Sequence, residues 1–244
     1  TVDLTRPVQY ERNNNIVDMG SNQYPSIGWV KGAVKGNYNI KYPFHISEYA
    51  HSMGNACGNL VDYWEAMEST NFFCGGAIWD WVDQSIYNYE KDGTKYLAYG
   101  GNFGDFPNDG QFVMNGILFG DREPKPQYFE VKKVYQHIDA KVLDLENGKV
   151  EVFNKYYFKD LSDYQLVYSL YKDGVQQLSE KLYLPAIPAR EKATVTLPYN
   201  FKSLDASSEY FVKVQFQLKA QSPWAKKAFV QAEEQFALKA ATAR

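Results

Sequence analysis

Glu48 closes the run Pro43-Phe44-His45-Ile46-Ser47, an apolar segment of strand length. A carboxylate at such a rim is costly to desolvate unless something uses or pairs it. Two readings fit: a group available for chemistry, or one committed to a salt bridge or helix cap. His51 follows three residues later. It can carry a proton or hydrogen-bond a ligand, and it fits equally a satisfied structural histidine. A second apolar run, Gly76-Ala77-Ile78-Trp79-Asp80-Trp81-Val82, also ends in chemically capable side chains. Aromatic residues make up 16% of the chain. Their faces pack on the apolar C–H faces of pyranose rings, although β-sandwiches are rich in Tyr and Phe as well.

The elements that must hold these groups can be read around them. Leu60, Trp64 and Met67 recur at i, i+4 and i+7, which predicts a helix over about residues 59–69. Strand, helix and strand in this length make a βαβ unit and favour a parallel sheet, with Glu48 at a strand's carboxyl end, where α/β barrels keep their reactive residues. Pro124 and Pro126 mark the start of another helix, and Tyr128, Val131, Tyr135 and Ile138 share its face over 126–138. Beyond it come seven β-rich runs at 141–145, 149–154, 164–171, 177–184, 193–199, 210–218 and 229–238. Asn147-Gly148 and Asp173-Gly174 are hairpin-type dipeptides between them. The pattern predicts an α/β domain over residues 1–138 and an all-β, immunoglobulin-like sandwich over 139–244.

Composition excludes several classes. With 26 basic and 29 acidic residues the formal charge is -3, which provides no field for nucleic acid or an anionic membrane surface. No window approaches a membrane span, and the start has no basic-then-apolar signal pattern. Cys57 and Cys74 fit neither a metal quartet nor a CxxC pair, and are expected to be buried free thiols. The chain does not open on Met, and its beginning is expected to be a cut.

The run Glu48-Tyr49-Ala50-His51-Ser52-Met53-Gly54-Asn55 closely resembles the large β-galactosidases of glycoside hydrolase family 2. So do Trp79-Asp80-Trp81-Val82-Asp83-Gln84-Ser85, Tyr99-Gly100-Gly101-Asn102-Phe103-Gly104-Asp105 and the opening Thr5-Arg6-Pro7-Val8-Gln9-Tyr10-Glu11. Asn108-Asp109, Gln111-Phe112, Met114-Asn115-Gly116 and Asp121-Arg122 extend the match, which is dense from Thr5 to about Lys133. The resemblance implies the C-terminal portion of a (β/α)8 TIM barrel followed by the sandwich. By the same resemblance Glu48 is the nucleophile, and His51 contacts the galactosyl group near the transition state. Tyr24 hydrogen-bonds the nucleophile, although the residues before it depart from the family's usual lead. Trp79 is an apolar platform for the sugar. Phe112, through its carbonyl, and Asn115, through its side-chain oxygen, form part of a sodium site, and Asn115 also faces substrate. Asp80, Asp83, Asp105 and Asp109 are expected to cap, bond loops and form salt bridges.

Retaining glycosidases need two carboxyl groups roughly 5 to 5.5 Å apart. The family's acid/base glutamate lies in an Asn-Glu pair on an earlier strand, and no such pair precedes Glu48 here. The resemblance therefore implies a β-galactosidase fragment that is inactive alone. Magnesium ligands beside the acid/base are expected to lie outside the chain, and Na+ and Mg2+ to belong to the complete enzyme. The implied partners are β-galactoside sugars, the remaining domains and, once complete, further copies in a homo-oligomer, in a soluble cytoplasmic or periplasmic protein. Two other readings stay open: a clan-related β-glucuronidase or β-mannosidase, and a non-catalytic carbohydrate-binding or assembly module.

Overall fold

A computed structural model describes residues 3–12 and 14–239, which fall into two compact units divided between Val134 and Tyr135. In the first, β1 (Gly20–Gln23), α1 (Ile27–Val34), β2 (Phe44–Tyr49), α2 (Leu60–Glu68) and β3 (Phe73–Ile78) alternate along the chain. The three strands pair in parallel in the order β1-β2-β3. Phe44, Ile46 and Tyr49 are wholly buried on β2, with Leu60 and Met67 of α2 also buried. The Trp64 indole N–H donates to the Tyr49 hydroxyl at 2.9 Å and ties helix to strand. α1 starts where Ser26 Oγ accepts from the Trp29 amide at 3.1 Å, a side-chain N-cap. A hairpin of β4 (Ile86–Tyr89) and β5 (Lys95–Ala98) follows, then α3 (Pro126–Val134), whose first residue is a proline. Three parallel strands close no barrel among the described residues.

Three expectations are corrected. The strand expected over 76–82 runs instead over Phe73–Ile78, because Phe73, Gly75, Gly76 and Ile78 are the residues that pair with β2. The helix expected to reach Ile138 stops at Val134, because Ile138 opens the next strand opposite Asn154. Both cysteines are free, but only Cys57 is buried; Cys74 is exposed, with its thiol donating to the Phe44 carbonyl at 3.2 Å.

The second unit holds β6 (Ile138–Asp144), β7 (Lys149–Asn154), β8 (Tyr164–Lys172), β9 (Val175–Leu182), β10 (Lys192–Thr196), β11 (Tyr210–Leu218) and β12 (Val230–Lys239). Each of the seven β-rich runs overlaps one of these strands. They form two antiparallel sheets, β10-β7-β6 and β12-β11-β8-β9. Strand β11 alternates buried and half-buried residues along its whole length. Its inward side chains Val212, Val214 and Phe216 share one core with Val150 and Val152 of β7, Val195 of β10 and Leu166 and Tyr168 of β8. The sheets therefore pack face to face. Asp173 and Gly174, both at positive φ, turn β8 into β9 in the manner of a two-residue hairpin.

No helix among the described residues is long and apolar enough to cross a membrane.

Candidate active site

Glu48 is the fifth residue of β2 and half-buried at its carboxyl end. Tyr24 stands just past β1, and parallel pairing brings the two together: the Tyr24 amide donates to the Glu48 carbonyl at 2.8 Å. Tyr24 is 42% exposed, and its hydroxyl end lies near enough to Glu48 to feel the carboxylate's charge. Partial burial, then the Glu48 carboxylate and the charge of Asp80, raise its pKa well above the ordinary tyrosine range. The phenol therefore stays protonated and is a hydrogen-bond donor at neutral pH.

Beyond Tyr49 the chain turns through Ala50 at φ 52°. Ser52 Oγ donates to the Ala50 carbonyl at 3.0 Å and lies 3.0 Å from the Cys57 thiol, which itself donates to the same carbonyl at 3.4 Å. These bonds hold a backbone conformation that an alanine seldom adopts. The turn presents His51 between Tyr24, at 6.3 Å between ring centroids, and Phe112, on which it stacks at 5.2 Å. His51 Nε2 is buried with no hydrogen-bond partner among the described residues.

Trp79 follows β3, and its backbone is tied to the same turn. Its amide donates to the Tyr49 carbonyl at 3.0 Å, and its carbonyl accepts from the Ser52 amide at 2.8 Å. Its peptide bond to Asp80 is cis. With the amide of Asn115 oriented to satisfy both ends, Asn115 Oδ1 accepts from Trp79 Nε1 at 3.3 Å and Nδ2 donates to the Val113 carbonyl at 3.1 Å. Tyr24, Glu48 and His51 thus meet at one rim, Phe112 lies against His51, and Trp79 is bonded to Asn115.

A cation would find only part of a site here. Phe112 offers a carbonyl, and the Asn115 oxygen already accepts from Trp79. Hard cations take about six or more oxygens, so these two residues do not by themselves make up a sodium site. No group of three or more His, Cys, Asp or Glu among the described residues could hold a metal.

The other carboxylates brace loops. Asp80 accepts from Trp81 N at 2.5 Å and Gln84 Nε2 at 3.0 Å, and Asp105 from Gly101 N at 2.9 Å. Asp109 departs from the expectation: its carboxylate makes no capping bond, and only its backbone carbonyl accepts from Phe112 N at 3.3 Å. Asp83 pairs with Lys125 at 2.6 Å, a partner that the sequence reading did not single out. Its only signal was a cation fixed between Pro124 and Pro126. A cavity of about 800 Å3 lies beside this pair, lined by Met53, Asn55, Tyr99 and Gln127 among others, and it does not include Glu48, Tyr24, His51 or Trp79.

Comparison with known proteins places the chain in a lineage. Residues 1–140 match the family model for glycosyl hydrolases family 2, TIM barrel domain, and residues 150–239 match that for beta-galactosidase, domain 4. A curated beta-galactosidase of Priestia megaterium is 38% identical over 99% of this chain and 24% of its own length. That of Photobacterium profundum is 34% identical over 97% of this chain and 24% of its own length. The chain thus spans about a quarter of the curated relatives it matches. Among solved structures, a Parabacteroides merdae beta-glucuronidase is similar over 96% of this chain and 30% of its own, at 14% identity and a TM-score of 0.39. With one family model matched by more than half of its residues, and relatives above 30% identity along nearly all of it, the chain belongs to glycoside hydrolase family 2.

Proposed function

We propose that this chain carries the nucleophile side of the active site of a retaining β-galactosidase, with Glu48 as the attacking carboxylate. The observation that carries the reading is the Glu48 carboxylate, half-buried at the end of a parallel strand, with the protonated phenol of Tyr24 beside it and the unpartnered Nε2 of His51 at the same rim. Such a donor holds one carboxylate oxygen in place while the other is free to attack. The names and motifs of the relatives supply the galactoside.

In the proposed reaction Glu48 attacks the anomeric carbon through an oxocarbenium-like transition state and the aglycone departs with a proton. Water then attacks the same carbon, Glu48 leaves, and galactose is released with retained configuration. Tyr24 donates to Glu48 throughout and eases its departure as a carboxylate. The orphan Nε2 of His51 is a ready partner for a sugar hydroxyl. Trp79, half-buried, offers its ring as the apolar platform. The acid/base carboxyl, the magnesium ligands and the remaining oxygens for a sodium ion would come from other parts of the enzyme, and the second unit acts as its immunoglobulin-like sandwich domain.

The test is a panel of aryl glycosides, assayed on the chain alone and on the chain completed with the missing barrel strands. Galactoside cleavage only in the completed enzyme, lost on the order of 10^4-fold or more in Glu48→Gln, supports the reading. Preference for a glucuronide or mannoside, or full activity of Glu48→Gln, would overturn it.

A further inference from the structure

The segment 113–118, which contains Asn115, is laced to the segment 79–84, which contains Trp79. Asp80 N donates to the Asn115 carbonyl at 2.7 Å, Gln84 N to Val113 at 2.8 Å and Asp83 N to Leu118 at 3.0 Å. In return, Ile117 N donates to the Asp80 carbonyl at 2.9 Å and Leu118 N to Trp81 at 3.0 Å. The approach is so close that a Cβ on Gly116 would sit 2.2 Å from both Asp83 N and the Val82 carbonyl carbon.

At the centre of this lacing one carboxylate oxygen binds two things at once. Asp83 Oδ1 accepts from Gly116 N at 2.8 Å and from Lys125 Nζ at 2.6 Å. The two side chains are 0% and 9% exposed, and Lys125 N donates to the Ile117 carbonyl at 3.1 Å. A buried ion pair is weak evidence for stability, since desolvating both charges offsets much of their attraction. Its geometry is better evidence for placement. The pair fixes the backbone immediately after Asn115, at Gly116 and Ile117, and Asn115 reaches Trp79 Nε1 at 3.3 Å.

We propose that Asp83 and Lys125 are positioning residues, a latch that sets Asn115 against Trp79 and so fixes the indole of the sugar platform. The consequence for catalysis rests on the galactosidase reading; the latch itself does not.

Two measurements test it. In the chain itself, Asp83→Asn keeps the shape of the side chain and removes its charge, and Lys125→Met removes the cation. Both should accelerate amide exchange at Gly116, Ile117 and Leu118 by at least about tenfold, with the amides of β2 and α2 unchanged. The Trp79 indole N–H resonance should shift as its bond to Asn115 loosens. Unchanged exchange and an unmoved indole signal would overturn the latch. So would failure of both variants to fold, because a pair on which the whole unit depends is not a local positioning device. In the completed enzyme, Lys125→Met should raise KM more than it lowers kcat, and should add little on top of Asn115→Ala. Fully multiplicative losses would contradict positioning through Asn115. If the completed enzyme cleaved no galactoside, the functional reading would fall while the exchange and indole measurements still decided the latch.

Discussion

The Tyr24 hydroxyl, partly buried, keeps its proton beside two carboxylates, Glu48 and Asp80. Removing it by Tyr24→Phe should leave the fold intact and lower galactoside turnover roughly ten- to a hundredfold, since a hydrogen bond to a charged group contributes about 1.5–3 kcal/mol. Because the phenol's pKa is displaced upward, wild type and Tyr24→Phe should share the same pH–rate profile through the neutral and mildly alkaline range; a limb that vanishes in the variant would contradict the assignment. At this scale the sequence was legible in placement, where residues lie close together in one motif. Glu48, His51 and Trp79 lie in contiguous runs, and Glu48 and His51 do meet at one rim, with Trp79 tied by its backbone to the turn between them. The Asp83–Lys125 pair was not legible, because its members lie 42 residues apart and only the folded loops bring them together.

Two predictions belong to the elements. At Gly116 any side chain meets backbone on the facing segment, so Gly116→Ala should destabilise the first unit by about 3 kcal/mol, at the upper end of overpacking costs, measurable as a lowered thermal midpoint. A midpoint unchanged within error would refute the close packing of these segments. In the second unit the Tyr199 hydroxyl donates to the Leu145 carbonyl, and burial, with the charge of Asp144, pushes its pKa up to about 12. An unfolded chain releases that proton near pH 10. The native state then binds more protons, so this contribution is whole below pH 10 and is lost as pH rises through about 12. Tyr199→Phe should cost about 1 kcal/mol at neutral pH and show a shallower decline of the urea midpoint above pH 10; an equally steep decline would refute it. Periodicity placed α2 and the seven strands of the second unit closely. It misjudged β3 and α3, where Gly75 and Gly76 lie inside a sheet and where Ile138 fits a helical spacing while serving a strand. It passed over α1, whose start is signalled only by Ser26.

For the whole molecule, the sheet β1-β2-β3 has a strand without a further neighbour at each edge among the described residues, and the chain spans about a quarter of its curated relatives. Open edges recruit other strands, and the proposed nucleophile needs a second carboxyl group within roughly 5.5 Å. Both arguments predict that the chain alone turns over no galactoside and gains activity when the missing strands are supplied. Domain order was legible from the change of period near residue 138, whereas the grouping of three and four strands into two sheets was not, because hairpin signals fix neighbours in sequence and leave the pairing of β10 with β7 and of β11 with β8 to the core. The most direct test of the central claim is to trap the completed enzyme with an activated 2-deoxy-2-fluoro-β-galactoside and find the labelled peptide by mass spectrometry. The account predicts one galactosyl adduct, on the carboxylate of Glu48, and none in Glu48→Gln; an adduct on any other residue would contradict it.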